Sequence, residues 1–275
     1  MNAVTHSIQL AGKVVLITGG TSGLGRWTTL VMAAQGATVV YTGRNAEGAV
    51  ETDKRLEAEG LRAQYLPHDV TSEADWQRVI DAVMEQHGKL DGLVNNSGVS
   101  RLKPMDQLSL DDLEFLLSVN VDGMFLGIQH AFRVMKTTGG AIVNISALNA
   151  LRGSPNSTGY GMAKAGTTHL ARAAAVEGRK YGIRVNAVHP GVLFEGGDKP
   201  SPGAISLFGE EGAQKFVQFN IDTTPLGRLG HPRDIGTAVA FLLSDAARHV
   251  TGTAVCVDGG RMAGEFQHHG IKSQK

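Results

Sequence analysis

Seven short runs of apolar, largely β-branched residues punctuate the chain, at 13–18, 37–42, 61–67, 90–96, 140–146, 183–190 and 253–258. They are near-continuously apolar, as strands covered on both faces must be. Between them, segments such as 24–35 (LGRWTTLVMAAQ) and 72–88 space their apolar residues at three and four, which predicts helices packed on a sheet. The alternation predicts an α/β fold, a doubly wound parallel sheet with helices on both faces. No linker, fixed-period repeat or low-complexity block interrupts it, so one domain over residues 1–275 is expected. The irregular stretch is 193–220, which spaces Ile205, Phe208, Phe216 and Phe219 along an expected helical face. It predicts a flap over a site, around 192–224.

Composition narrows the partners. Lysine plus arginine (26) balance aspartate plus glutamate (26), leaving no net positive field for nucleic acid or an anionic membrane. Small molecules are the expected partners. No apolar stretch reaches the roughly 18 residues a membrane span needs, and the first residues lack the apolar core of a signal peptide, so a soluble cytoplasmic protein is expected. Cys256, the single cysteine, sits in the apolar run TAVCV and is expected to be a buried small hydrophobe. His268 and His269 offer two adjacent ligands where a metal site usually needs three or four, so no metal is expected.

Candidate chemistry begins where VVLITGGTSGLG joins the first strand to the first helix. Gly19, Gly23 and Gly25 permit a tight turn and close approach of backbone N–H groups to a pyrophosphate at a helix N-terminus. The loop also carries Thr21, Ser22 and Leu24. Taken with NNSG at 95–98, Asn120, the pair Tyr160 and Lys164 in a YxxxK pattern, and VDGG at 257–260, this spacing (TGxxxGxG) resembles the short-chain dehydrogenase/reductase family over nearly the whole length. The resemblance implies a Rossmann-like fold and an oxidoreductase acting between a nicotinamide cofactor and a secondary alcohol or ketone. It implies cofactor contacts from the glycine loop, from Asp69 and Val70 beside the adenine, from Asn95, Asn96 and Gly98, and from Pro190, Gly191 and Leu193 near the nicotinamide. It further implies that Lys164 holds the nicotinamide ribose, that Asn120 bends its helix and anchors a water to the lysine, and that the final strand joins a homotetramer contact. A homo-oligomer, tetramer or dimer, is expected.

Cofactor choice turns on the end of the second strand, where enzymes that prefer NAD usually place an acid against the ribose 2′-OH. Gly43 stands there and Arg44 follows. Loss of the carboxylate removes repulsion against a 2′-phosphate that a guanidinium can grip, so NADP(H) is expected, with NAD(H) the alternative.

Tyr160 and Lys164, four positions apart, share one face of a helix expected to begin around Thr158. A nearby ammonium and an oxidised nicotinamide both favour phenolate; lowering a phenol's pKa by about two to three units takes roughly 3–4 kcal/mol. Tyr160 would then take a proton from an alcohol as hydride leaves, or return it to a ketone. The family's serine stands thirteen positions earlier, which is Ala147, with Ser146 one place too early. Either the loop carries one extra residue or the strand end is bulged and Ser146 reaches the substrate, or the serine is absent; Asn149 or Ser154 replaces it only if the loop folds inward. Glu195 occupies a position where the family commonly has threonine, so the flap is expected to follow its own path. His189 either faces the cofactor or fills the sheet end. Ala147 and Glu195 motivate a second hypothesis, a cofactor-binding sensor or scaffold subunit that has lost turnover.

Overall fold

A computed structural model of the chain describes residues 8–197, 199–200 and 202–264. In chain order the elements are β1 (Val14–Thr18), α1 (Gly23–Ala34), β2 (Thr38–Gly43), α2 (Ala46–Ala58), β3 (Gln64–Pro67), α3 (Glu73–His87) and β4 (Gly92–Asn95). They continue through α4 (Leu110–Leu117), α5 (Gly123–Met135), β5 (Gly140–Ile145), α6 (Thr158–Gly178), β6 (Ile183–Pro190), α7 (Pro202–Asp222), α8 (Pro232–Leu243) and β7 (Ala254–Val257). The strands pair in the order β3-β2-β1-β4-β5-β6-β7, every pair parallel. Strand order reverses between β1 and β4, and the crevice beyond the carboxyl ends of these strands is where such sheets bind ligands.

The strands are uniformly apolar because both sheet faces are covered, yet their side chains still alternate. Val15 and Ile17 of β1 join Met32 of α1 and Ile235 and Val239 of α8 in one core. Val14 and Leu16 point the other way, against Trp76 and Val79 of α3, Ile128 of α5 and Ala171 of α6. Local chemistry sets the boundaries. Asn45 and Ser72 accept hydrogen bonds from Gly48 N (3.0 Å) and Asp75 N (3.2 Å), capping α2 and α3. Ser109 and Asp112 form a reciprocal capping box on α4.

Three expectations change. The run 61–67 yields a strand only from Gln64, because Gly60 at φ 67° and the bond from Leu61 N to Leu56 O spend its first residues closing α2. Cys256 is exposed rather than buried, since β7 is an edge strand. The flap does become a helix, but Gly209 at φ 69° and ψ 170° breaks α7 into two pieces, across which Phe208 and Phe216 stack with ring centres 5.3 Å apart. Ala213, Val217, Phe194 and Leu229 give the flap a small core of its own. Among the described residues no helix is long and apolar enough to cross a membrane. His268 and His269 lie outside the described residues.

Candidate active site

A cleft of about 1190 Å³ runs along the carboxyl ends of the strands. At one end the loop from β1 to α1 forms a cradle with no room for a side chain at its closest approaches: a Cβ on Gly25 would stand 2.0 Å from the carbonyl oxygen of Gly19. Gly19 itself adopts φ 71°, which other residues resist. Ser22 precedes α1 without a capping bond from its side chain, and no acid occupies the first turn, so this helix start keeps N–H groups and positive potential for an anion. Arg26 braces the loop from behind, donating to Thr21 O at 2.7 Å and Thr52 Oγ1 at 3.0 Å. Across the crevice, Asn96 Nδ2 donates to Thr18 O at 2.9 Å, and Thr18 Oγ1 accepts from the main-chain N–H groups of Asn96 and Ser97, both at 3.0 Å. Thr21, Ser22, Gly23, Leu24, Asn96 and Gly98 all line the cleft. Asn95 does not. It is buried between β4 and β5, donating to Asn144 Oδ1 at 3.0 Å, because alternate strand residues face opposite ways. A cradle held to glycine at Gly19 and Gly25, backed by an uncapped helix start, fits a dinucleotide's pyrophosphate.

Gly43 is held small by its neighbour, since a Cβ there would lie 2.8 Å from Thr21 Oγ1 and 2.9 Å from Thr21 Cγ2. Arg44, with 65% of its side chain exposed, reaches within 3.6 Å of the Asp69 carboxylate. Partial burial works against that carboxylate, but the N–H and hydroxyl of Thr71, together with Arg44, outweigh it and hold its pKa below the ordinary value. Val70 completes the wall. His68, buried against the edge of Trp76 and bonded through Nδ1 to Thr42 Oγ1 at 3.0 Å, is pushed down to about 4 by burial, which keeps its ring neutral at physiological pH.

Tyr160 and Lys164 stand where the cradle meets the rest of the cleft. Lys164 is buried and donates from Nζ to Ile145 O at 2.9 Å, and burial pushes its pKa down to about 8. Gly98 makes this possible: a Cβ there would lie 2.8 Å from Asn120 Oδ1 and 3.1 Å from Lys164 Nζ. Asn120 sits in a π turn, Ser118–Asp122, between α4 and α5. Its Nδ2 donates to Val99 O and Leu116 O, each at 2.9 Å, and its main-chain carbonyl accepts from Thr167 Oγ1 at 2.9 Å. Asn120 therefore ties the bent helix both to the loop after β4 and to α6. One expectation reverses in the protein alone. Burial raises the Tyr160 pKa, with Lys164 Nζ standing 5.9 Å from the ring centre.

Ser146 and Ala147 both line the cleft. Ser146 is buried, its Oγ 2.9 Å from both Lys164 O and Thr168 Oγ1, so its hydroxyl is committed to α6. Ala147, next along the chain, brings only a methyl group to the same wall. His189 fills the sheet end: it is buried, with Nδ1 2.6 Å from Ala147 O and Nε2 3.4 Å from Thr168 Oγ1. Asn149 lines the cleft but spends Nδ2 on Ser157 Oγ at 3.0 Å; Ser154 also lines it. Pro190 and Gly191 line it at the end of β6, whereas Leu193 packs on the sheet core. The bond from Gly230 N to Val192 O and that from Phe194 N to Gly230 O rotate Leu193 inward and present Val192 instead. Glu195 pairs with Arg55 of α2, so it turns away from the cleft and pins the start of the flap.

Leu102, Leu148, Phe216 and Phe219 also line the cleft, as do Arg152 and Arg261, the latter beside Phe219. Ile205 and Phe208 stay on the surface, 37% and 47% exposed. Sequence reasoning missed both arginines, because each sits in a loop where no periodicity assigns a facing. Val192 was missed for the same reason.

Comparison with known proteins agrees with this geometry. A family model described as enoyl-(acyl carrier protein) reductase matches residues 19–261. The levodione reductase of Leifsonia aquatica is 35% identical over 93% of this chain and 96% of its own. A crystal structure of levodione reductase superposes with a TM-score of 0.85, covering 93% of this chain and 99% of that one. The cyclopentanol dehydrogenase of Comamonas testosteroni is 34% identical, covering 91% and 97%. The cis-4-hydroxycyclohexanecarboxylate dehydrogenase of Sinomonas cyclohexanicum is 37% identical, covering 92% and 98%. With the parallel sheet, the glycine cradle and the tyrosine–lysine pair, these matches make the chain a member of the short-chain dehydrogenase/reductase family, an NAD(P)-dependent oxidoreductase of alcohols and ketones.

Proposed function

We propose that the protein, a single catalytic domain with a flap, interconverts a cyclic secondary alcohol and its ketone with NADP(H), and that Tyr160 is the proton-transfer group. The observation that carries this reading is that Tyr160 and the buried Lys164 line the same cleft as the glycine cradle. Bound there, the nicotinamide nucleotide supplies the hydride acceptor or donor. The phenolic oxygen of Tyr160 takes the hydroxyl proton in oxidation and returns it in reduction. Lys164, charged and desolvated, stabilises the phenolate and offers donors to the ribose. Asn120 and Gly98 keep the pocket of Lys164 at its required size. Ala147 leaves the substrate oxygen without the usual serine donor, so Tyr160 is its main partner.

Gly43, its crowding by Thr21, and the exposed cation of Arg44 support NADP(H) over NAD(H). The apolar walls from Leu102, Leu148, Phe216 and Phe219 support a cyclic carbon skeleton, in keeping with the cyclopentanol and hydroxycyclohexane substrates for which two relatives are named. We also read the protein as a homo-oligomer. Phe125 of α5 and Val176 of α6, 48% and 77% exposed, flank one groove between those helices, and the edge of β7 is only partly covered.

The test is turnover of cyclic alcohols and ketones, followed by nicotinamide absorbance, in wild type and Tyr160→Phe. A loss of about 10²- to 10⁴-fold with unchanged NADPH affinity supports the reading. Tight cofactor binding without any Tyr160-dependent turnover supports the sensor instead.

A further inference from the structure

We infer that the substrate carries a carboxylate, and that Arg152 and Arg261 hold it at the end of the cleft remote from the glycine cradle. The inference rests on the dehydrogenase reading above, and deepens it by naming the substrate's charge.

Arg152 belongs to the loop between the 3₁₀ turn Leu148–Ala150 and α6, and Arg261 to the turn after β7, so widely separated segments bring two guanidinium groups to one wall. Among the described residues no ion pair joins either of them to a carboxylate. Arg261 is partly buried, donates to Asn220 O at 3.3 Å, and lies 5.6 Å from the ring centre of Phe219. Asp258 is the carboxylate that favours its charge, but that group is committed to the N–H groups of Gly260 at 2.9 Å and Met262 at 2.8 Å. Burial, and then the like charge of Arg152, hold the Arg261 pKa below its ordinary value. A partly buried cation thus stands beside a second, exposed one, and an anion bound between them would relieve their repulsion.

Nothing else lining this end can answer that charge. The lining residues include a single carboxylate, Asp69, which lies at the opposite end beside Arg44. The cofactor's own anions have the glycine cradle and Arg44. Leu148, Phe216 and Phe219 line the same cleft as Tyr160 and the arginines, Phe219 lying beside Arg261. A hydroxyl at one end, an apolar body and an anion at the other is the chemistry of a hydroxycycloalkane carboxylate. Two guanidinium groups give its planar anion fork-like, charge-assisted hydrogen bonds.

The experiment uses protein loaded with NADP⁺ and titrates cyclohexanecarboxylate, which lacks a reacting hydroxyl, against cyclohexanecarboxamide by calorimetry. Turnover of 4-hydroxycyclohexanecarboxylate and its amide is measured in parallel. The carboxylate is expected to bind about 10- to 100-fold more tightly than the amide. Arg261→Gln should bring it down to the amide's level while leaving NADP⁺ affinity unchanged. Arg152→Gln, at an exposed position where folding is not at stake, should do the same in part. Equal binding of carboxylate and amide, or wild-type carboxylate affinity in both variants, overturns the inference. Tyr160-dependent turnover of neutral cyclic alcohols without preference for the acid overturns it alone and leaves the dehydrogenase reading standing. Arginine-dependent carboxylate binding without turnover of any alcohol upholds the anion site and sinks that reading.

Discussion

The side chain of Ser146 hydrogen-bonds the main chain of Lys164 at 2.9 Å, which fastens the end of β5 to α6, while Ala147 beside it brings no donor to the cleft. A serine hydroxyl at 147 would restore a donor to the reacting oxygen. Ala147→Ser is expected to raise kcat by about 10-fold or more, since one such donor is typically worth about 10²-fold. Ser146→Ala should leave kcat within about threefold and cost about 1 kcal/mol of stability, as Thr168 still donates to Lys164 O at 3.0 Å. Turnover and chemical denaturation of both variants check this; a larger loss of kcat in Ser146→Ala than in Tyr160→Phe would reverse the assignment.

Burial of Lys164 works against stability, and the sign follows from its pKa of about 8 when folded, below its ordinary value of 10.5. The folded state binds the proton more weakly than the unfolded chain, so the penalty is complete below pH 8 and vanishes above pH 10.5. Its size is about 3 kcal/mol. Lys164→Met is therefore expected to be inactive yet more stable than wild type near pH 7, net of about 1 kcal/mol lost at Ile145 O. The advantage should shrink as pH rises through that window. Thermal melts across pH decide it.

Gly43 and Thr21 compete for one volume, since a methyl group at position 43 would stand 2.8 Å from the threonine hydroxyl oxygen. Gly43→Asp alone should thus weaken NADP(H) without creating good NAD(H) binding, while Gly43→Asp with Thr21→Ala should gain NAD(H). Arg44→Ala is expected to weaken NADP(H) by about 10-fold and leave NAD(H) nearly unchanged, as for loss of one hydrogen bond to a charged group. Equilibrium binding of both nucleotides measures each case.

Burial raises the Tyr160 pKa in the protein alone, so the base form needed for oxidation grows toward alkaline pH. Accordingly kcat/KM for alcohol oxidation should climb with pH, and that for ketone reduction should fall. The kcat profile for oxidation should lie at lower pH, because the oxidised nicotinamide favours phenolate. Full pH profiles in both directions, with Tyr160→Phe as the flat control, test the relationship.

Much of this was readable from residues alone, and the reason differs by part. The strand runs predicted the sheet because burial on both faces demands apolar residues throughout, and the largest shift was at the start of β3, where Gly60 at φ 67° ends α2 late. Tyr160 and Lys164 were legible because helical spacing fixes their common face. The facing of Ser146 was not, since a single register step decides it and only the partner Thr168 selects the step. Leu193 was misplaced because its orientation depends on Gly230, far along the chain. Arg152 and Arg261 gave no signal at all, as loops carry no period and their meeting depends on how β5, β7 and α7 converge.

The adjacency of β1 and β4, with β2, α2, β3 and α3 threaded between them in the chain, carries a consequence for biogenesis. A growing polypeptide that has made only its first three strands owns every glycine of the cradle but lacks the floor that Asn96 and Thr18 stitch together. Nucleotide affinity is expected only after the fourth strand enters the gap, so ligand capture reports on long-range assembly.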